Sequence, residues 1–99
     1  MPTSEKRKEQ IVSKIDTIGE VNCRKMMGEY LLYLNGVHFG GIYDDRLLVK
    51  PTEACKQYQL PQQLPYAGAK AMYFVDDNDW ELAKTVIFAT VAELAERKK

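Results

Sequence analysis

Residues 24–50 read RKMMGEYLLYLNGVHFGGIYDDRLLVK, and this stretch decides the fold. From about Met26 to Leu34 the residues alternate, with Tyr30, Leu32 and Leu34 on one face of an extended strand and Leu31 and Tyr33 on the other. Both sets are apolar, as in a central, two-sided strand. Asn35-Gly36 follows, and both residues tolerate positive φ, as a tight two-residue hairpin turn requires. Val37 to Tyr43 returns antiparallel. Its Gly40-Gly41 pair signals a bulge or the close approach of another element. Asp44-Asp45 makes a second turn, and Arg46 to Lys50 a third strand with Leu47 and Val49 opposite Leu48. The stretch is therefore predicted to be a three-stranded antiparallel meander.

Upstream, Thr3 to Ile18 is predicted to be a helix capped by Thr3 or Ser4, with Ile11, Val12, Ile15 and Ile18 on one face and Gly19 as its stop. Its first two turns, Glu5 to Gln10, are polar throughout and are expected to be solvated and to fray. Downstream, Pro51-Thr52 opens a short helix over Glu53–Tyr58. Gln59 to Lys70 carries Pro61, Pro65 and Gly68 and reads as a loop with a short extended piece at Leu64–Tyr66. Ala71 to Val75 is a further strand. Asp76-Asp77-Asn78-Asp79 reads as an acidic turn that caps the last helix, with Asn78 and Glu81 in the reciprocal capping pattern. That helix is expected from Asp79 to Lys98, with Ala83, Val86, Ile87, Thr90 and Leu94 inward. The order α-β-β-β-α-β-(β)-α places the chain in the α+β class. The expected architecture is an antiparallel sheet, a three-stranded meander plus one or two further strands, packed by N-terminal, middle and long C-terminal helices.

Ninety-nine residues suffice for one domain, spanning 1–99, and the 45% apolar content is enough for one core without disulfide staples. Fourteen basic residues balance fourteen acidic ones, which disfavours direct nucleic-acid binding because phosphate recognition draws on a basic excess. No apolar run approaches the ~20 residues of a membrane span. Cys23 and Cys55 have neither zinc-site nor redox-pair spacing, and His38 alone does not complete a metal set with them. No cofactor is implied, and free thiols fit a reducing cytoplasm.

Few residues invite a chemical role. His38 lies mid-strand with no Cys, Asp or Ser beside it in the sequence, and Cys55 lies in the early turns of a short helix, a setting in which reactive thiols occur. An enzyme reading has only these two residues to rest on. The Lys6-Arg7-Lys8 run, flanked by Glu5 and Glu9, reads as a solvated helix face. Arg24, Lys25, Arg46 and Lys50 are candidates for a basic interaction edge, since the first pair opens the meander and Lys50 ends it; edge cations also discourage stray strand pairing. Tyr66, in the Pro-containing loop, and Phe88, on the outer side of the last helix, are candidate contact residues.

The chain resembles the N-terminal domain of the TfoX/Sxy competence regulators. The residues that carry the resemblance are Arg24-Lys25-Met26-Met27-Gly28, Tyr33-Leu34-Asn35-Gly36-Val37-His38-Phe39, Asp44-Asp45-Arg46-Leu47-Leu48-Val49-Lys50, and the Tyr73 strand with its helix. It departs from the family tendency at Met27, where Phe is common, and at Glu29 and Asp45, where Gly is common. The resemblance implies an α+β fold and a non-catalytic regulatory or protein-interaction module linked to transcription control, where full-length members act with the cyclic-AMP receptor protein. The partners it implies are the transcription machinery or a second copy in a homodimer, and the chain is expected to be a stand-alone single-domain member. The alternative is a small-molecule-binding domain with a cleft between the sheet and the Gln59–Lys70 loop, near Tyr58, Tyr66 and Tyr73.

Overall fold

The structure, a computed structural model, describes residues Thr3 to Arg97. In chain order it comprises α1 (Glu5–Ile15), β1 (Val21–Met26), β2 (Glu29–Leu34), β3 (Val37–Tyr43), β4 (Arg46–Val49), α2 (Glu53–Gln57), β5 (Gln62–Gln63), β6 (Met72–Phe74) and α3 (Trp80–Arg97). The strands form one antiparallel sheet in the order β1-β2-β3-β4-β6-β5. The α+β class and the arrangement of N-terminal, middle and long C-terminal helices are as predicted.

The meander has four strands rather than three. β1, VNCRKM, has no apolar alternation because it is the exposed edge strand, so periodicity could not reveal it. Its turn to β2 is Met27-Gly28, with φ of 52° and 85°, the same left-handed pair seen at Asn35-Gly36 (51° and 84°). Asp44-Asp45 repeats it at 52° and 62°. Three tight turns of one hand thus fold a continuous ribbon. Only Asn35-Gly36 uses the residues that do so at least cost; a side chain such as that of Met27 pays for its Cβ crowding the next carbonyl.

Alternation along the ribbon divides the sheet into two faces. Tyr30, Leu32, Leu34, Ile42, Leu47, Val49 and Tyr73 join Ile11 and Ile15 of α1, Cys55 of α2, and Ala83, Val86 and Ile87 of α3 in a single buried core. All three helices therefore cover one face. Of the two alternatives read at Gly40-Gly41, the close approach falls on the pair itself and a bulge lies one residue before it. The pairing register slips between Leu32 and Tyr33, so that Phe39 bulges from β3. A Cβ at Gly40 would lie 2.2 Å from the Leu48 carbonyl oxygen, so nothing larger than hydrogen fits against β4.

Helix ends differ from the sequence expectation for local reasons. α1 stops at Ile15 because Thr17 and Ile18 donate to Lys14 and Ile15, three residues back, and tighten the last turn. Gly19 instead makes room for packing, since a Cβ there would lie 2.9 Å from Leu34 Cδ1. The expected piece at Leu64–Tyr66 is two residues earlier, as β5. α3 starts with the Asp79 carbonyl accepting from the Ala83 N–H at 2.9 Å, which puts Asn78 and Glu81 one position out of register for a reciprocal cap. Glu81 pairs with Lys84 at 3.3 Å instead. The expected helix end at Lys98 lies outside the described residues. The first turn of α2 is capped from a distance: the Glu53 N–H donates to the Glu93 carboxylate of α3 at 2.9 Å.

The N-terminal segment overturns the expectation of a frayed, solvated start. Thr3 is buried, and its N–H and hydroxyl both donate to the Glu29 carboxylate, at 2.9 and 2.8 Å. The other Glu29 oxygen accepts from the Asp44 N–H at 3.0 Å, and Asp45 Oδ1 accepts from the Ser4 N–H at 3.0 Å. Ser4 Oγ in turn accepts from the Arg7 N–H and caps α1. Glu29 and Asp45, the departures from glycine, are thus what moors the start of α1 to two hairpin ends. Asp77 completes the anchorage. Its side chain is 1% exposed, accepts from both terminal nitrogens of Arg7 at 3.0 and 2.6 Å, and pairs with Lys14 Nζ at 3.0 Å. It is the buried centre of a partly exposed ion cluster, not a helix cap, and Arg7 leaves the solvated face assigned to Lys6-Arg7-Lys8.

Burial pushes the Asp77 carboxyl up. The hydrogen bonds from Arg7 and Lys14, with their charges, outweigh this and hold it below the ordinary aspartate value. A depressed folded-state pKa contributes stability that is present above the unfolded value, about 4, and is lost as pH falls through the folded one. Asp77→Ala is expected to destabilise the domain by about 1–3 kcal/mol at neutral pH in urea denaturation. The variant should also lose less stability than the parent between neutral pH and the acid range. Equal acid limbs in the two proteins would show that Asp77 is not the linked group.

Candidate functional site

The sheet face away from the helices carries Leu31, Tyr33, His38, Gly41, Tyr43 and Leu48. Gly41 is the local key to its shape. A Cβ there would lie 2.8 Å from Tyr43 Cε2 and 2.6 Å from the Tyr30 carbonyl oxygen, so the bare glycine lets the Tyr43 ring lie back along β3. Tyr66 faces that ring from the β5–β6 loop, with centroids 6.3 Å apart and planes at 50°. Burial, then the neighbouring Tyr66 and Glu29, raise the Tyr43 pKa, so the phenol stays neutral and able to donate.

Arg46 puts Tyr66 there. Its Nε donates to the Tyr43 carbonyl at 3.1 Å, one terminal nitrogen to Gln63 Oε1 at 2.8 Å, and the other to the Leu64 and Pro65 carbonyls at 3.0 and 3.4 Å. The guanidinium fork staples the loop to the β3–β4 hairpin. Arg46 is thus a positioning residue for the face rather than part of a basic edge.

Between these parts lies a hollow of about 720 Å³ lined by Met26, Met27, Leu31, Tyr43 and Tyr66 together with Gly28 and Glu29. Met27 is 96% exposed and Tyr66 63%, although both are apolar and belong to one concave surface. On the other side of the Tyr43–Tyr66 pair is a second hollow of about 360 Å³, bounded by His38, Lys50, Pro65 and Lys70. The sequence indicated Tyr66 but not Met26, Met27 or Tyr43. The legible signal was two adjacent methionines beside a glycine, which read as strand because the turn was unrecognised.

The other candidates scatter. Arg24 and Lys25 lie on edge strand β1, with β2 and β3 between them and the strand of Arg46, so the four cations do not form one basic edge. Pairing with Leu31 puts Arg24 on the helix-free face, and pairing with Tyr30 puts Lys25 on the helix side. Phe88 is 46% exposed on α3, as expected, and far in topology from the hollows. Tyr73 belongs to the core on the helix side, its hydroxyl accepting from Gln62, so it does not join Tyr66. Cys55 and His38 do not meet: Cys55 is fully buried in the helix-side core, with its thiol donating to the Lys50 carbonyl, whereas His38 stacks near Tyr33, centroids 4.9 Å apart, on the opposite face. Among the described residues no group of three or more His, Cys, Asp or Glu could hold a metal ion, and no helix is long and apolar enough to cross a membrane.

Both cysteines are free, Cys23 exposed and Cys55 buried. In a thiol titration with Ellman's reagent, one equivalent is expected to react quickly in the native protein and the second only in denaturant. Rapid native reaction of the Cys23→Ser variant would contradict the burial of Cys55.

Comparison with known proteins agrees with this architecture. A protein-family model described as TfoX N-terminal domain matches residues 13–96. An uncharacterized 12.7 kDa protein in the trpE 5′ region of Spirochaeta aurantia is 37% identical over 59 residues. Those residues are 58% of this chain and 51% of the relative, so the match spans about half of that protein's length. A match that runs from the last turn of α1 almost to the end of α3 takes in the whole sheet, α2 and nearly all of α3, and the chain belongs to the TfoX N-terminal domain family.

Proposed function

We propose that this chain is a non-catalytic regulatory module that acts by binding through the helix-free face of its sheet. The observation that carries this is the exposed apolar hollow around Met26, Met27, Leu31 and Tyr66, because large apolar side chains left in one concave patch mark recognition surfaces. The family supplies the finer reading, in which the bound partner belongs to the transcription machinery or is a second copy of the chain, and the setting is the cytoplasm. A second reading, a small-molecule-binding domain, draws on the concavity itself, since about 720 Å³ is the size of hollow that encloses small ligands.

Met27→Asn separates folding from binding. It places Asn-Gly in a left-handed turn, which is expected to stabilise the fold by about 0.5–1 kcal/mol, while removing an apolar wall of the hollow. Paired with Tyr66→Ser, it is expected to abolish retention of RNA polymerase or the cyclic-AMP receptor protein on the immobilised domain, with thermal stability maintained. No retention by the parent protein would overturn the transcription link. Retention unchanged in the double variant would move the working surface elsewhere.

A further inference from the structure

We infer that β1 is a docking edge for the β1 of a second copy of this chain, paired antiparallel about Asn22 so that Arg24 of each copy lies opposite Glu20 of the other. The inference goes beyond the helix-free-face reading, since neither Met27 nor Tyr66 takes part. It begins from the contrast between the two edges of the sheet. β5 closes one edge with Gln62 and Gln63 alone, set between Pro61 and Pro65 and stapled by Arg46. So short an edge, flanked by residues that lack an N–H, offers little to pair with. β1 closes the other edge with six residues, of which Asn22 to Met26 are all exposed. It holds no proline, and its register with β2 runs unbroken from Val21 to Met26. The Asn35 N–H donates to the Glu20 carbonyl at 2.8 Å. Hydrogen-bonded pairs recur every second residue, so they continue as Asn22–Tyr33, Arg24–Leu31 and Met26–Glu29. Val21, Cys23 and Lys25 therefore turn their N–H and C=O groups away from β2, at the spacing an added antiparallel strand uses.

Charge selects the partner and the register. Formal net charge is zero, so two copies meet without overall repulsion. Only residues whose amides point outward can exchange bonds, and the two-fold centres that keep the strands overlapped are Asn22, Cys23, Arg24 and Lys25. Centring on Arg24 or Lys25 sets that cation against its own copy. Centring on Cys23 puts Arg24 beside Asn22 and diagonal to the other Arg24. Centring on Asn22 exchanges amide bonds between Val21 and Cys23 and sets Arg24 directly opposite Glu20, twice by symmetry. Glu20 and Arg24 are both exposed and share the helix-free side of the edge. They would meet in a non-hydrogen-bonded pair, the kind in which opposite side chains lie closest. The edge cations that discourage stray pairing thus favour one register of one partner. Strands paired in one sheet keep their faces, so the dimer carries both helical layers on one side and both Met26–Tyr66 hollows on the other.

The test is sedimentation velocity of the full chain in reducing buffer at protein concentrations up to about 1 mM. A monomer–dimer equilibrium is expected. Arg24→Glu and Glu20→Arg should each weaken the dimer about tenfold or more, and the double variant should restore it. Thermal stability of the monomer should match the parent in all three, because both side chains are exposed. A second readout fixes the register. Asn22→Cys in a Cys23→Ser background places the introduced thiols in a pair with Cα atoms about 4.5 Å apart, within disulfide range. It should therefore form a linked dimer in oxidising buffer several-fold faster than Lys25→Cys in the same background. A monomer at every concentration, a dimer indifferent to Arg24→Glu, no restoration in the double variant, or faster linkage through Lys25→Cys would each overturn the inference. The Met27→Asn/Tyr66→Ser variant should dimerise like the parent. Loss of its dimer would overturn the edge pairing and put the self-contact on the helix-free face.

Discussion

Asp77 is the residue on which the arrangement of the helical layer depends. A carboxylate that is 1% exposed is costly unless its lone pairs are filled, and Arg7 and Lys14 fill them from one side of α1. The geometry locks a helix near the start of the chain to the loop just before its last helix. That lock matters because α1 buries few side chains of its own: Ile11 and Ile15 are fully enclosed, and the first two turns offer only polar groups. Hydrophobic burial at about 25 cal/mol per Å² would hold the second half of such a helix and leave the first half loose. The ion cluster, with the Thr3–Glu29 and Ser4–Asp45 bonds, orders that first half instead.

Docking every helix on one side leaves the opposite sheet face to a short loop. The chain covers part of it by stapling the β5–β6 loop with Arg46, and the remainder is the hollow beside the Met27-Gly28 turn. Core-facing side and open side are therefore two faces of the same ribbon. The same alternation that puts Leu32 and Leu34 in the core puts Leu31 and Tyr33 on the open side. This explains why β2 is apolar on both faces without being sandwiched between two helical layers.

Much of this was legible from residue order. Asn35-Gly36 announced a hairpin, Gly40-Gly41 announced the close approach of β4, and Ala83, Val86, Ile87 and Thr90 announced the buried stripe of α3. β1 was not legible. An exposed edge strand is stabilised by backbone pairing, which leaves no apolar period, and Met27 is a residue with no local preference for a left-handed turn. The Asp76–Asp79 run was misread for a related reason. An acidic turn before a helix satisfies capping statistics whether its side chains cap or not, and only the distant partners of Asp77 distinguish the cases.

By itself the sequence determined the class of fold, the core-facing half of the central strands, and the family, because those depend on short-range periodicity and turn chemistry. Only the tertiary structure decided which charges are buried and which surface is open. Arg7 lies 70 residues from Asp77 and Arg46 lies 17 from Gln63, and pairings across such separations leave no trace in local pattern. The same holds for the hollow: Met27 and Tyr66 become neighbours only after three left-handed turns, a bulge and an arginine staple have each set their part of the chain.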